Sequence, residues 1–282
     1  MCAFPQLKAN ISCDVVVIGG GITGSLIADN LGKNGFNVVV VEQRDIAWGS
    51  SAASTALLQY EIDTHMADLA RMYGEFHAVA AYKACAAAIT DLRDLADELG
   101  DVDFGMRESL YFASKRGHRA ELREEYDLRI KHEFDAEWLD AGGVKERFGI
   151  KAPCAILTKL AAQIDPYRMA SKLLLRLAER GGRVFDRTVI DTIEPSEDKV
   201  TLQTPEGFRI QAGHVVMAAG YASQKWLKQS VAKNRSSYAF ITDPIEESAL
   251  GPLASTMIWE SARPYLYMRT TGDGRLLVGG DD

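Results

Sequence analysis

At 282 residues the chain is long enough for one large domain or two of moderate size, each with a substantial core. Hydrophobic residues make up 47% and charged residues 25%, the balance of an ordinary globular protein, and no run approaches the 18 apolar residues that a membrane span requires. The net charge of −7 argues against nucleic acid or an anionic membrane as the main partner.

The N-terminus, MCAFPQLKANISCD, has no apolar core of a signal peptide, so the expected location is cytoplasmic. Cys2, Cys13, Cys85 and Cys154 form no C-x-x-C pair and are expected to be free thiols in a reducing compartment. No metal-ligand spacing is present, and none is expected to bind a metal.

Along the chain, Val15 to Ile18 is a continuous apolar run, the pattern of a strand buried on both faces. A helix is expected from about Ile22 to Lys33, stopped at Gly35, and a second buried strand from Val38 to Val41 ends at Glu42. Together they make a β-α-β unit. A small-residue stretch follows, WGSSAAST. Residues 65–100 then predict one long helix or two stacked ones, with Leu69, Met72, Phe76 and Val79 as one apolar stripe and Leu92, Leu95 and Leu99 as another. Ser109 to Ser114 is strand-like. Two polar helical stretches are expected near Arg119 to His132 and Ala136 to Phe148.

After Ile150 the buried α/β texture resumes. AILTKLAAQIDP is strand and turn, and a helix starts with Pro166 in its first turn and ends at Gly181-Gly182. Strands are expected in RVFDRTVIDTIEP and KVTLQTPEGFRIQ, and HVVMAAGY is a buried strand running into a glycine turn. The last segment alternates like strands in SSYAFITDP, STMIWE, PYLYMRT and RLLVGG. No linker is evident, so two domains would be interleaved.

Gly19, Gly21 and Gly24 form G-x-G-x-x-G directly after a buried strand and at the opening of a helix, with Glu42 at the end of the next strand. Gly19 permits the tight turn, Gly21 lets the backbone approach a pyrophosphate, and Gly24 allows close helix–strand packing. The helix N-terminus, at Ile22 and Thr23, offers unpaired N–H groups to phosphate. Glu42, followed by Gln43, can accept from both ribose hydroxyls and would repel a 2′-phosphate. The motif alone does not choose between NAD and FAD.

With these features the sequence resembles the D-amino-acid-oxidase-type family of FAD-dependent oxidoreductases, which includes glycine oxidase and sarcosine oxidase. The likeness rests on DVVVIGGGITG…VVVVE, on GSSAAST (Gly49 to Thr55), on Ile164 to Ile193 and on HVVMAAGY (His214 to Tyr221). It implies an α/β fold in which a Rossmann-like FAD-binding domain, residues 1–62 and 152–225, interleaves with an α+β substrate domain on an antiparallel or mixed sheet, residues 63–151 and 226–282. It also implies roles. Gly19, Gly21, Ile22, Thr23, Gly24, Glu42 and Gln43 would hold the pyrophosphate and adenosine ribose. Ser50, Ser51 and Ser54 would lie along the cofactor chain, with Thr55 and Ala56 beside the isoalloxazine. Val189 would meet the adenine with its backbone, and Ala219 and Gly220 would keep the strand end slim.

The activity implied is removal of a hydride from the C–H next to an amine or hydroxyl of a small amino or hydroxy acid, with oxygen, a quinone or another acceptor taking the electrons. Tyr265, Tyr267 and Arg269 alternate onto one strand face and are the substrate-side candidates; Tyr238 and His65 are weaker ones. The strand RLLVGG lacks the lysine that sarcosine-oxidase-like members carry there, which tilts the expectation toward a dehydrogenase. In the family further chain follows this strand, so the sequence is expected to be truncated, missing part of its FAD domain. A second copy of the chain, in a homo-oligomer, is the one protein partner considered. The alternatives to this reading are an NAD-dependent dehydrogenase and a non-catalytic flavin-binding fragment.

Overall fold

The structure is a computed structural model that describes residues 3–231 and 236–280. The chain divides into two compact units, Met1–Ser54 with Asp165–Asn234, and Thr55–Ile164 with Arg235–Asp282.

In chain order the strands and helices are β1 (Ile11–Ile18), α1 (Ile22–Lys33), β2 (Val38–Val41), β3 (Leu57–Gln59), α2 (Met66–Tyr73), α3 (Glu75–Leu99), β4 (Gly105–Phe112), α4 (Arg119–Lys131), β5 (Ala136–Asp140), α5 (Ala141–Phe148), β6 (Cys154–Gln163) and α6 (Pro166–Glu179). After α6 come β7 (Arg183–Phe185), β8 (Thr192–Pro195), β9 (Val200–Gln203), β10 (Arg209–Met217), β11 (Tyr238–Pro244), α7 (Glu247–Leu250), β12 (Thr256–Glu260), β13 (Tyr267–Thr270) and β14 (Arg275–Gly280).

The first unit is a six-stranded sheet in the order β7-β2-β1-β10-β9-β8. Its first four strands run parallel, β9 runs antiparallel to β10, and β8 runs antiparallel to β9. The valine-rich strands occupy its middle because both their faces are covered. Val15, Val17, Val38 and Val40 pack with Ala28, Leu174 and Leu177 of α1 and α6, while Val16, Ile18, Val39 and Val41 pack with Ile190, Leu202 and Ile210. α1 and α6 lie close: a Cβ on Gly32 would meet Leu177 Cδ1 at 2.6 Å. Buried Asp29 of α1 accepts from Arg176 of α6 at 2.6 and 2.9 Å. α6 starts where Pro166 and the Asp165 side chain, accepting from the N–H groups of Tyr167 and Arg168, fix its first turn.

Contrary to expectation, the C-terminal half of β10 is not a two-sided core strand. Val215 and Val216 are half-buried, while His214 and Met217 are exposed. The apolar composition has another cause at Met217, which forms part of a cleft wall described below.

The second unit is an eight-stranded sheet in the order β11-β14-β13-β12-β4-β6-β3, with β5 also paired to β6. All neighbours are antiparallel except β12 and β4, which run parallel. Residues 65–100 form two helices, one of the two expected arrangements, divided at Gly74, whose φ of 90° ends α2 and starts α3. Two other expectations change here, the apolar stripe across that division and the helix over Ala136 to Phe148. The phase of the apolar stripe resets at that break, leaving Met72 at 63% and Phe76 at 80% exposure. The buried face of α3 is Ala78, Tyr82, Ile89 and Ala96, at helical spacing. Ala136 to Phe148 is a strand followed by a helix. β5 pairs along β6 from Ala136↔Thr158 to Asp140↔Cys154, and Asp140 then caps α5 by accepting from Gly143 N at 2.9 Å.

The polar-looking α4 carries the largest fully buried side chain among the described residues. Arg129 is completely buried, donating to Glu125 at 2.8 Å and lying 3.3 Å from Glu61 Oε1. Its guanidinium sits over the rings of Tyr60 and Tyr82, and Glu125 also accepts from Ala67 N at 2.9 Å. The neighbouring carboxylates raise the Arg129 pKa although desolvation, the largest influence, opposes it. One cation thus ties α4 to the start of α2 and to the segment after β3.

Candidate cofactor site

The first unit contains a cleft of about 700 Å³ at the ends of β1, β2 and β10. Its floor is the glycine turn. Gly19 has a φ of +112°, and a Cβ there would lie 2.3 Å from the Ala218 carbonyl oxygen. Gly24 does not line the cleft. A Cβ on it would sit 1.9 Å from Gly19 O, so the helix lies directly on the turn. Gly21 starts α1 without a side-chain cap of its own. Ser51 supplies one, its Oγ accepting from Ile22 N at 2.9 Å. The small-residue stretch is thereby moored to the helix N-terminus, where the partial positive charge favours an anion.

Glu42 is held from both sides. Oε2 accepts from Gly20 N and Oε1 from Arg44 N, each at 2.9 Å. The carboxylate is preset at the cleft edge. Backbone pairing joins a further segment to the same stretch, where Thr188 N donates to Glu42 O at 2.8 Å and Arg187 N to Arg44 O at 2.9 Å. That pairing brings Val189 to the cleft.

Of the expected cofactor residues, Gly19, Gly21, Ile22, Thr23, Glu42, Gln43, Ser50, Ser51, Ser54, Val189, Ala219 and Gly220 all line this cleft. Thr55 and Ala56 belong to the other unit. The sequence reading missed Trp48, Thr188, Met217, Tyr221, Lys225 and Trp226 as lining residues. Trp48 was visible inside the small-residue stretch as the one bulky side chain, and it is 55% exposed. Tyr221 to Trp226 come from a short 3-10 helix after β10 that no motif announces.

Substrate-side candidates all lie in the second unit. Tyr265 and Tyr267 are neighbours, with ring centroids 5.6 Å apart. Tyr267 lies over Gly279, where a Cβ would meet its ring at 2.4 Å, and Tyr265 donates to Asp63 Oδ1 at 3.1 Å. Burial first, then Asp63, pushes the Tyr265 pKa up to about 12. Arg269 is buried, and its donors go to backbone carbonyls: Nε to Thr55 at 2.5 Å, Nη1 to Thr270 at 3.0 Å and Nη2 to Ile164 at 3.2 Å. It braces the chain just before Ala56, which holds a left-handed φ of 48°. Tyr238 is exposed on edge strand β11, away from this group in sheet order.

His65 is buried between Tyr111 Oη, 3.0 Å from Nε2, and Glu121 Oε1, 3.1 Å from Nδ1. Asp68 completes a trio with donor atoms within 4.8 Å, but Arg71 already lies on Asp68 at 2.5 Å. Burial, the largest influence, lowers the His65 pKa below the ordinary 6.5. The unfolded chain therefore binds a proton more readily than the folded one. His65 should contribute stability above about pH 6.5 that is lost as pH falls from there toward its folded pKa. His65→Gln should flatten urea-unfolding free energies across that window; an unchanged slope would assign the pH dependence to other groups.

The family model described as DAO, FAD dependent oxidoreductase, matches residues 14–282. The chain belongs to that family, and its cofactor is FAD, which removes the nicotinamide alternative. Among relatives, gamma-glutamylputrescine oxidoreductase of Escherichia coli (strain K12) is 25% identical over 98% of this chain and 66% of its own length. YhfW of Bacillus subtilis (strain 168), whose assignment as a Rieske 2Fe-2S iron-sulfur protein is itself provisional, is 27% identical over 69% of this chain and 38% of its own length. The chain thus spans less than two thirds of these relatives. The crystal structure of glycine oxidase from Geobacillus kaustophilus superposes with a TM-score of 0.79 at 19% identity, covering 96% of this chain and 71% of that one. Among the described residues no helix is long and apolar enough to cross a membrane.

Proposed function

We propose that the chain binds FAD along the first unit's cleft and serves the oxidation of a small amino or hydroxy acid at the C–H beside its amine or hydroxyl. The observation that carries this reading is Glu42, fixed by Gly20 N and Arg44 N beside the glycine turn that opens α1. The residues fit the group. The turn is slim where a pyrophosphate must approach, the helix N-terminus faces it, and the carboxylate stands where ribose hydroxyls can donate.

In this reading Ser50, Ser51 and Ser54 follow the cofactor's chain, Val189 offers backbone to the adenine, and Ala219 and Gly220 keep one wall thin. Thr55 and Ala56 carry the segment onward to the ring, and Arg269 holds the Thr55 carbonyl rather than a substrate. Tyr265 and Tyr267 remain the substrate-facing pair. When bound, FAD supplies the hydride acceptor, and the protein's task is to orient the reacting carbon. The residence of the enzyme in the cytoplasm, its final electron acceptor and its assembly into oligomers stay within this proposal as expectations.

Glu42→Gln should weaken FAD binding about ten- to a hundredfold, the worth of one or two charge-assisted hydrogen bonds. Flavin fluorescence titration reads this directly, and an unchanged Kd would dismiss Glu42 as a ribose partner. For the reaction, small amino acids, N-methyl amino acids and hydroxy acids are added anaerobically to reconstituted protein. Bleaching of the flavin band by at least one class is expected. Full reduction by dithionite, with no member of the panel bleaching, would overturn the proposed substrate class.

A further inference from the structure

A line of aromatic side chains in the second unit ends on a histidine and an exposed carboxylate. Trp259 of β12 and Tyr111 of β4 are direct partners across the parallel pair, and their rings stack at 3.8 Å with 19° between planes. Both are buried. On one side Tyr265 approaches Trp259 edge-on at 6.3 Å. On the other, the Tyr111 hydroxyl meets His65 Nε2 at 3.0 Å, and His65 Nδ1 meets Glu121, whose side chain is 52% exposed.

The hydrogen-bond directions follow from the partners. Ionised Glu121 can only accept, so Nδ1 carries the imidazole proton and Nε2 is the acceptor for the Tyr111 O–H. Among the hydrogen bonds of the described residues, Trp259 Nε1 donates to Ser109 Oγ at 3.1 Å, and a hydroxyl is no base. Tyrosine oxidation without a proton acceptor leaves a strongly acidic radical cation of high energy. A base in hydrogen-bond contact removes that obstacle, and Tyr111 has one.

We propose that Tyr111 is a redox-active tyrosine, fed by Trp259 and discharged of its proton by His65. A one-electron oxidant of the radical class takes an electron from Trp259. Tyr111 gives an electron to the oxidised indole, restoring it, and its phenolic proton crosses to His65 Nε2. The products are a neutral tyrosyl radical and an imidazolium whose charge Glu121 balances. One electron leaves the protein to the oxidant, and the proton stays on His65. The arrangement moves an oxidising equivalent away from Tyr265 and Tyr267 and toward Glu121. It is independent of the cofactor reading above.

Pulse radiolysis of the full chain with azidyl radical, which oxidises tryptophan, tests this. The expected signal is a first-order growth of phenoxyl absorption matching decay of the tryptophan radical cation at a rate independent of protein concentration. That component should vanish in Trp259→Phe and in Tyr111→Phe, and persist in Trp138→Phe and Tyr265→Phe. His65→Gln, which keeps a polar group but no base, should slow it about tenfold or more. Persistence in Tyr111→Phe, or a wild-type rate in His65→Gln, would overturn the proposal. Should a variant fail to fold, the wild-type protein still decides: transfer should be slower in heavy water, and an equal rate excludes coupled proton movement.

Discussion

Gly24→Ala should abolish useful FAD binding, lowering affinity more than a hundredfold and destabilising the protein by about 3 kcal/mol. The methyl would lie 1.9 Å from Gly19 O and 3.3 Å from Val17 Cγ1. Neither neighbour has room to give. Gly19 N donates to Val41 O at 2.8 Å, and on its other side Gly19 faces Ala218 O, where even its own Cβ would collide. The clash is with backbone, so relief requires α1 to lift off the sheet. Lifting it breaks the Ser51–Ile22 hydrogen bond and turns the helix N-terminus away from the cleft. Flavin titration and a thermal melt check both parts. Wild-type affinity in Gly24→Ala would mean that the turn relaxes freely and that the cradle is not rigid.

Arg129→Met should destabilise the protein by about 3–5 kcal/mol, the cost of stranding buried carboxylates after their cation is removed. Glu61 and Glu125 are both completely buried at the side chain and both face that guanidinium. The informative companion is the triple variant Glu61→Gln, Glu125→Gln and Arg129→Met. It removes all three charges and should recover much of the loss, because desolvating three ions is itself expensive. Equal destabilisation of the single and triple variants would shift the explanation to packing against Tyr60 and Tyr82. Chemical denaturation of the three proteins separates these outcomes.

The parts of this protein that could be read from sequence are those whose cause is local. The glycine turn, the limits of α1 and the strand Val38–Val41 follow from neighbouring residues alone, because phosphate cradles and buried parallel strands need particular residue types in a row. The cap of α6 is equally local. Where a distant partner decides, the sequence misleads. AEWLD became a strand because β6 was there to pair with it. Met72 and Phe76 left the core because Gly74 reset the helix phase. Arg129 stands in EEYDLRIKHEF, which has the composition of a solvated helix, and only the fold brings Glu61 to it across 68 positions. Arg269 followed the alternation of its strand, yet its guanidinium donates to carbonyls of two other stretches of chain, at Thr55 and Ile164, and to that of its own neighbour Thr270. On the cofactor side the motif residues were legible, whereas Tyr221 and Trp226 reach the cleft through a turn that carries no signature.

The pairing of β1 has a consequence for biosynthesis. Ile11 lies opposite Ile210, so the central strand meets one of its two neighbours only after nearly two hundred further residues have been made. At about 5–20 residues per second, the ribosome exposes this apolar strand for roughly 10–40 s before its partner exists. Until β7 is made β1 and β2 can form only a two-stranded parallel fragment, and the edge of β1 that β10 will cover stays open throughout. Production of the protein is therefore expected to depend on chaperones that hold nascent chains, and to improve where translation of the intervening segment is fast.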